Sequence, residues 1–374
     1  MSIHKKIILP IALCMQCLIN SAILENNVEF KEIIYEENIP QSACMMGADI
    51  GGTNSNFGIF MVEDGKLTLL LSIHIKSKDM TSFTDTINHI LKYIKSRYGI
   101  QIKHAAFAAA GMVPPSKDFC HLTNVNLYLD AHKITRETEI EKAIIVNDFE
   151  VIGFGIDSIE QKKIIPVNNA LPKENGTRAI LGAGTGLGKS ILYWVNNRYY
   201  ALPSEGGHVD FSPQNALEFE LLEFIKKSRD QNYNVSWEEL LSGNGIRHIF
   251  DFFCQKNMGH YDEQLRSDPG KILNTGATNV NSLQTSSLFT KFYGQFAKNV
   301  ALNALTTGGI YIAGGIAAKN IHLFAEKTFM QAFTNSLKHH SFLATIPVYV
   351  ITDYNISMYG AVNFMLLEGL YHDS

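Results

Sequence analysis

Several short apolar runs in this 374-residue chain stop at a glycine or an acid instead of fading into a polar loop. HAAFAAAG ends at Gly111, AIIVNDFE turns polar at Asn147-Asp148, TRAILGAGTGLG carries four glycines after an apolar start, and GGIYIAGGIAAKN breaks at Gly314-Gly315. Short apolar runs bounded by turn signals fit buried strands, and segments with helical character follow several of them. Strand, polar residue at its C-terminal end, then helix is the grammar of an α/β protein, whose ligands bind in the crevice beyond the strand ends. At roughly 150 residues per domain, the length calls for two domains.

The part beginning at Met46 opens on antiparallel strands. MGADIGGTNSNFGIF leads into KLTLLLSIHIK with a pause at Glu63-Asp64-Gly65, a hairpin signature. Residues 83–98 put Ile87, Ile90, Leu91 and Ile94 at helical spacing. Residues 214–226 and 289–307 are also helical in pattern, IPVYVIT at 346–352 is a last strand, and YGAVNFMLLEGL closes with a helix. DIGGTN at 49–54 and IAGGIA at 312–317 share paired glycines after an apolar strand, which is consistent with a duplicated architecture.

The first 45 residues are of another kind. Residues 1–23 resemble a signal peptide, with a basic start, an apolar run from Ile7 to Ile19 and Asn20-Ser21-Ala22 as a weak cleavage site. That run of about 13 residues is too short to span a bilayer. The alternative is an extension outside the fold, or a true start at Met45 or Met46. Residues 24–44 read as a linker or a surface strand. Cys14 and Cys17 form a lone CxxC without a second pair, and five cysteines in all fit a reducing compartment better than a disulfide scaffold. With 32 Lys and Arg against 36 Asp and Glu, the formal charge of −4 provides no global positive field for nucleic acid or an anionic membrane.

Four constellations carry chemistry. In Asp49-Ile50-Gly51-Gly52-Thr53-Asn54, backbone amides and an acid at a strand end could hold a phosphate and, through water, its cation; a plain hairpin turn is the alternative. Residues 182–190, GAGTGLGKS, fail as a P-loop because Ala183 stands where glycine is needed, but they leave a glycine loop able to wrap oxyanions. Asn147-Asp148 ends an apolar strand, so Asp148 reads either as a general base or as the N-cap of the next helix. Glu205-Gly206-Gly207-His208, with Glu238 further on, could grip vicinal hydroxyls. His339-His340 beside Lys338 reads as solvated surface, and no HExxH or paired CxxC supports a metal held by protein ligands alone.

In this order, DIGGTNSNFGIF, NDFEVIGFGI, LGAGTGLG, LPSEGGHVDFSP and IYIAGGIAAKN resemble the motifs of the proteobacterial-type glucokinases, in the sugar kinase, actin and Hsp70-like ATPase superfamily, over about residues 46–370. The resemblance implies two ribonuclease H-like α/β domains flanking a cleft. It implies a small domain of residues 46–147 joined by the C-terminal helix 357–370, a large domain of residues 148–356, and an N-terminal extension of residues 1–45 outside both. It implies ATP and Mg²⁺ as cofactors and phosphorylation of the glucose 6-hydroxyl with Asp148 as base, for which an ordinary pKa is adequate because the alcohol proton becomes acidic only as phosphorus attack proceeds. Asn124, Asn147, Glu205, His208 and Glu238 would hold the sugar together with Asp148. Gly51, Gly52, Thr53, Asn54, Gly184, Thr185 and Gly186 would line the phosphate path, Gly314 and Gly315 would lie beside the nucleoside, and Asp49 would anchor the metal through water. A cytoplasmic, glycolytic homodimer without nucleic-acid or stable membrane partners completes the expectation. The chain departs from the family pattern at Met112, in place of proline, and at Leu127 or Tyr128, near a family tryptophan, while Thr123-Asn124 persists. A kinase for mannose or glucosamine, and a silent sugar-binding regulator, are the alternatives.

Overall fold

The computed structural model describes residues 18–24, 28–36, 39, 44–122, 125–228, 233–258 and 262–370. Two large sheets organise it. The first contains β1 (Leu18–Ile23), β2 (Glu29–Ile34), β3 (Cys44–Ile50), β4 (Asn54–Glu63), β5 (Lys66–Lys76), β6 (Ile102–Ala109) and β9 (Lys142–Asn147), in the order β1-β2-β5-β4-β3-β6-β9. Between β6 and β9 a small hairpin is formed by β7 (Phe119–Leu122) and β8 (Leu127–Asp130). The second sheet runs β10 (Ile164–Pro166), β15 (Val348–Ile351), β14 (Gly309–Ala313), β11 (Arg178–Ala183), β12 (Leu187–Val195), β13 (Arg198–Ser204).

The sheets repeat one topology. In the first, β3, β4 and β5 are successive antiparallel neighbours and β6 and β9 then add in parallel on the other side of β3. In the second, β11, β12 and β13 form the same antiparallel meander, and β14 and β15 add in parallel beyond β11. The duplication is therefore real, but it pairs different segments from those expected. The topological counterpart of DIGGTN is the β11–β12 turn, while the glycines after β14 correspond to the end of β6. Residues 177–188, expected as one strand, are instead a hairpin turning at residues 184–186.

The N-terminal residues also differ from expectation. β1 and β2, within a segment expected to lie outside both domains, pair with each other and then with β5, widening the first sheet by two strands. Leu24, Val28 and Phe30 are buried in its core. Glu32 is fully buried beside the helix Phe83–Tyr98, where it accepts hydrogen bonds from Tyr93 Oη (3.0 Å), Tyr98 Oη (2.8 Å) and Asn20 Nδ2 (3.2 Å). The signal-like residues 1–17, with Cys14 and Cys17, lie outside the described residues.

Each sheet has its outer face covered by helices that lie between its own strands in sequence, and its inner face covered through an exchange. The helix Asp148–Gly155 leaves the first sheet from β9 but packs Phe149, Ile152 and Gly153 against the second. The helix Ile356–Leu367 leaves the second sheet from β15 but packs Met358, Ala361, Val362 and Met365 against Met45, Phe60 and Ala106 of the first. The two helices cross at Gly360, where a Cβ would lie 1.9 Å from the Val151 carbonyl oxygen, so only glycine fits. No helix among the described residues is long and apolar enough to cross a membrane.

Candidate active site

The parallel strands of both sheets deliver their C-terminal ends to one region, and the sequence-predicted residues gather there. Asp49 sits at the end of β3, partly exposed, and the turn Gly51-Gly52-Thr53 follows it. Ser77 holds this turn: its amide donates to Thr53 O (3.0 Å) and its hydroxyl to Gly51 O. Burial pushes the Asp49 carboxyl up to about 6.

Asn147 and Asp148 divide the work that the sequence left open. Asn147 is the N-cap, its Oδ1 accepting from the amides of Phe149 (3.0 Å) and Glu150 (3.1 Å), while its Nδ2 donates to Gly111 O (3.2 Å). Asp148 is the first residue of the helix, with Oδ1 accepting from the next amide (2.9 Å). Its carboxyl rises from 3.8 to about 7, chiefly through burial and then through repulsion by Asp49; backbone amides at the helix start partly offset this rise, and Glu205 adds a smaller repulsion. The group thus lies above the ordinary carboxylate range that would already be adequate for a base. Asp49 from the first sheet and Glu205 from the end of β13 thus both lie within electrostatic reach of Asp148.

From the second sheet, Gly184 and Thr185 form the β11–β12 turn with Gly186. Gly184 N donates to Gly186 O (2.8 Å), and Gly243 N donates to Gly184 O (2.9 Å). Glu238, on the short 3₁₀ turn Trp237–Glu239, accepts from Leu187 N with Oε2 (2.9 Å); a Cβ on Gly186 would meet that oxygen at 2.6 Å. His208, on the 3₁₀ turn Gly206–His208, lies 3.9 Å from Glu205 Oε2 and 4.0 Å from Glu238 Oε1, beyond hydrogen-bond range but within ionic reach when protonated. Gly314, at φ 91°, bends the chain beneath Ala183 O, with Gly315 opening the next helix. Of the predicted site residues only Asn124 falls outside the described residues, together with Thr123.

Two supporting residues escaped the sequence reading. Tyr293, fully buried on the helix Val280–Ala304, accepts from Ala183 N (3.0 Å) at the base of the second glycine turn. Phe149 lays its ring against Gly182 and Gly188, coupling the residue next to Asp148 to the second sheet. Neither signals itself in sequence, because one reads as helix core and the other as strand apex. Among the described residues no group of three or more His, Cys, Asp and Glu side chains is placed to hold a metal.

The glucokinase family profile matches residues 46–367. A glucokinase of Nostoc punctiforme is 33% identical over 337 residues, covering 85% of this chain and 97% of its own. One from Synechocystis is 30% identical over 347 residues (84% and 96%), and one from Erwinia tasmaniensis is 29% identical over 305 residues (81% and 91%). Cyanobacterial and proteobacterial glucokinases are thus similar to comparable degrees, which corrects the expected affinity with the proteobacterial type. Among solved structures, a glucokinase from an Antarctic psychrotroph superposes with TM-score 0.76 at 24% identity (87% of this chain, 100% of that one). The Balamuthia mandrillaris glucokinase in complex with glucose gives 0.74 at 24% (86% and 92%). A ROK family transcriptional regulator gives 0.64 at 12% (88% and 80%), so the fold alone does not separate kinases from regulators.

Proposed function

Because the chain belongs to the glucokinase family, we propose that it transfers the terminal phosphoryl group of ATP to the 6-hydroxyl of D-glucose, giving glucose 6-phosphate and ADP. The observation that carries this reading is the placement of Asp148. It stands at the mouth of β9, freed from capping by Asn147, and its pKa of about 7 makes it half-ionised at neutral pH. A base poised near the working pH is the form general-base catalysis favours. In this reading an Asp148 carboxylate oxygen takes the proton from the sugar hydroxyl as that oxygen attacks phosphorus.

Glu205, His208 and Glu238 would accept from and donate to the other hydroxyls. Glu238 Oε2 is already engaged by Leu187 N, which leaves Oε1 for the sugar. Asn147, capping the helix through Oδ1 and donating one Nδ2 hydrogen to Gly111 O, would offer only its second N–H, and Asn124 is proposed beside it. The residues also suit a nucleotide. Gly184 and Gly315 have open space where a Cβ would stand, Thr185 and Gly186 complete the β11–β12 turn, Gly51, Gly52, Thr53 and Asn54 form the β3–β4 turn, and Gly314 adjoins Ala183. Such turns let phosphate oxygens approach backbone amides. Mg²⁺ accompanying ATP would neutralise charge on the phosphates, with Asp49 anchoring it through water; an unneutralised Asp49 that burial raises to about 6 suits that role. The proposed lobes are the first sheet with helix Ile356–Leu367, and the second sheet with its helices, closing on the sugar to exclude water.

The reading is tested by a coupled assay of ATP-dependent phosphorylation over glucose, mannose and glucosamine, with wild type and Asp148→Asn. Sugar binding without turnover by wild type would establish a regulator, and turnover on mannose with little on glucose would reassign the substrate. Met112, 84% exposed beyond the end of β6, is the departure from the family pattern that makes this panel informative.

A further inference from the structure

The loop after β6 is clamped to the catalytic helix by a side chain that the proposed chemistry does not use. Lys117 takes a left-handed conformation (φ 54°), fixed by its amide donating to Pro114 O (2.9 Å) and by Ile145 N of β9 donating to its carbonyl (2.8 Å). From there its ammonium donates to Glu150 Oε1 at 2.7 Å and lies 4.8 Å from the centre of the Phe364 ring. Glu150 is 8% exposed and belongs to the helix that Asp148 begins, two residues on. Phe364 belongs to the helix Ile356–Leu367, the other member of the crossed pair. At the loop's far end, Gly111 is held by Asn147 Nδ2 and packs against the buried Cys120 Sγ.

We propose that Lys117 is a positioning residue for sugar binding: it locks residues 111–118, which lead into the β7–β8 hairpin, to the helix bearing Asp148 and to the helix bearing Phe364. The acceptor side of the cleft and the base then hold one relative geometry in the open and closed states. A left-handed lysine is uncommon for a side chain with a Cβ. Its paired, largely buried partner is what makes breaking the contact costly and replacing both charges tolerable.

This inference rests on the proposed sugar-kinase reading, and the test separates the two. Wild type, Lys117→Met, Lys117→Arg and the double variant Lys117→Met/Glu150→Met are compared for KM of glucose, KM of ATP, kcat, thermal midpoint and hydrogen exchange of residues 111–118. Lys117→Met is expected to raise the glucose KM about tenfold with the ATP KM within about twofold, and Lys117→Arg to recover most of it. The double variant should regain the wild-type thermal midpoint while keeping the raised glucose KM. Recovery of both together would show a merely structural pair and overturn the proposal, as would an unchanged KM in Lys117→Met. Should wild type turn over no hexose, the kinase reading fails, and exchange decides the clamp by itself. Exchange about tenfold faster in residues 111–118 of Lys117→Met, with the Val280–Ala304 helix unchanged, supports it; equal exchange overturns it.

Discussion

Replacing Asp148 with asparagine should make the unliganded protein more stable while stopping its chemistry. The carboxyl lies at about 7 instead of 3.8 because the folded state charges it at a cost, first through burial and then against Asp49 and Glu205. A difference of about 3 corresponds to ~4 kcal/mol, and partial exposure at the cleft reduces this to ~2 kcal/mol. The folded pKa is the higher one, so the wild type loses stability as pH rises from about 4 to about 7 and stays level above that. Asparagine, neutral throughout, escapes the loss. For a chain of this size ~2 kcal/mol is worth about 2–3 °C in thermal midpoint. Differential scanning fluorimetry without ligands should show that gain at pH 8 and a smaller one at pH 5, while turnover falls by roughly 10²–10⁴-fold. A midpoint gain equal at both pH values, or a loss at both, refutes the electrostatic account.

Three further outcomes are expected. Wild-type kcat/KM should fall as pH drops through about 7, and in Asp49→Asn the residual rate should titrate at lower pH, because a repelling carboxylate has gone; an unmoved midpoint would show that Asp49 does not reach Asp148. Tyr293→Phe removes one oxygen and leaves Ala183 N–H buried without its partner, at ~1–3 kcal/mol, so the KM for ATP should rise severalfold with the glucose KM unchanged in initial-rate measurements. Glu32→Ala withdraws the acceptor from Tyr93, Tyr98 and Asn20, and should lower the thermal midpoint by several degrees at about 1 kcal/mol per lost bond, with steady-state constants unaltered.

The strand-end acids and glycine turns were readable because strand, acid and helix are adjacent in sequence and each has a local cause. Asp49, Asn147 and Asp148 fall where the apolar runs predicted. Which of Asn147 and Asp148 caps the helix was not readable, since both residues cap well and only the fold shows which side chain turns back to the amides. The β11–β12 hairpin was hidden by its own glycines, which look alike in a strand apex and in a strand-to-helix turn. The roles of Tyr293 at Ala183, Lys117 at Glu150 and the N-terminal strands at helix Phe83–Tyr98 depend on partners 33 to 110 residues away. Periodicity records which face of an element is apolar and says nothing about such pairings.

The crossed helices constrain the order in which the molecule can be assembled. The inner face of the first sheet, with Met45, Phe60 and Ala106, is covered by Met358, Ala361, Val362 and Met365 from the last helix of the chain. As the chain leaves the ribosome from its N-terminus, every strand of that sheet emerges more than 200 residues before its lid. The N-terminal lobe therefore waits, half covered, for more than half of translation, and a chain truncated before residue 356 exposes an apolar surface suited to chaperone capture.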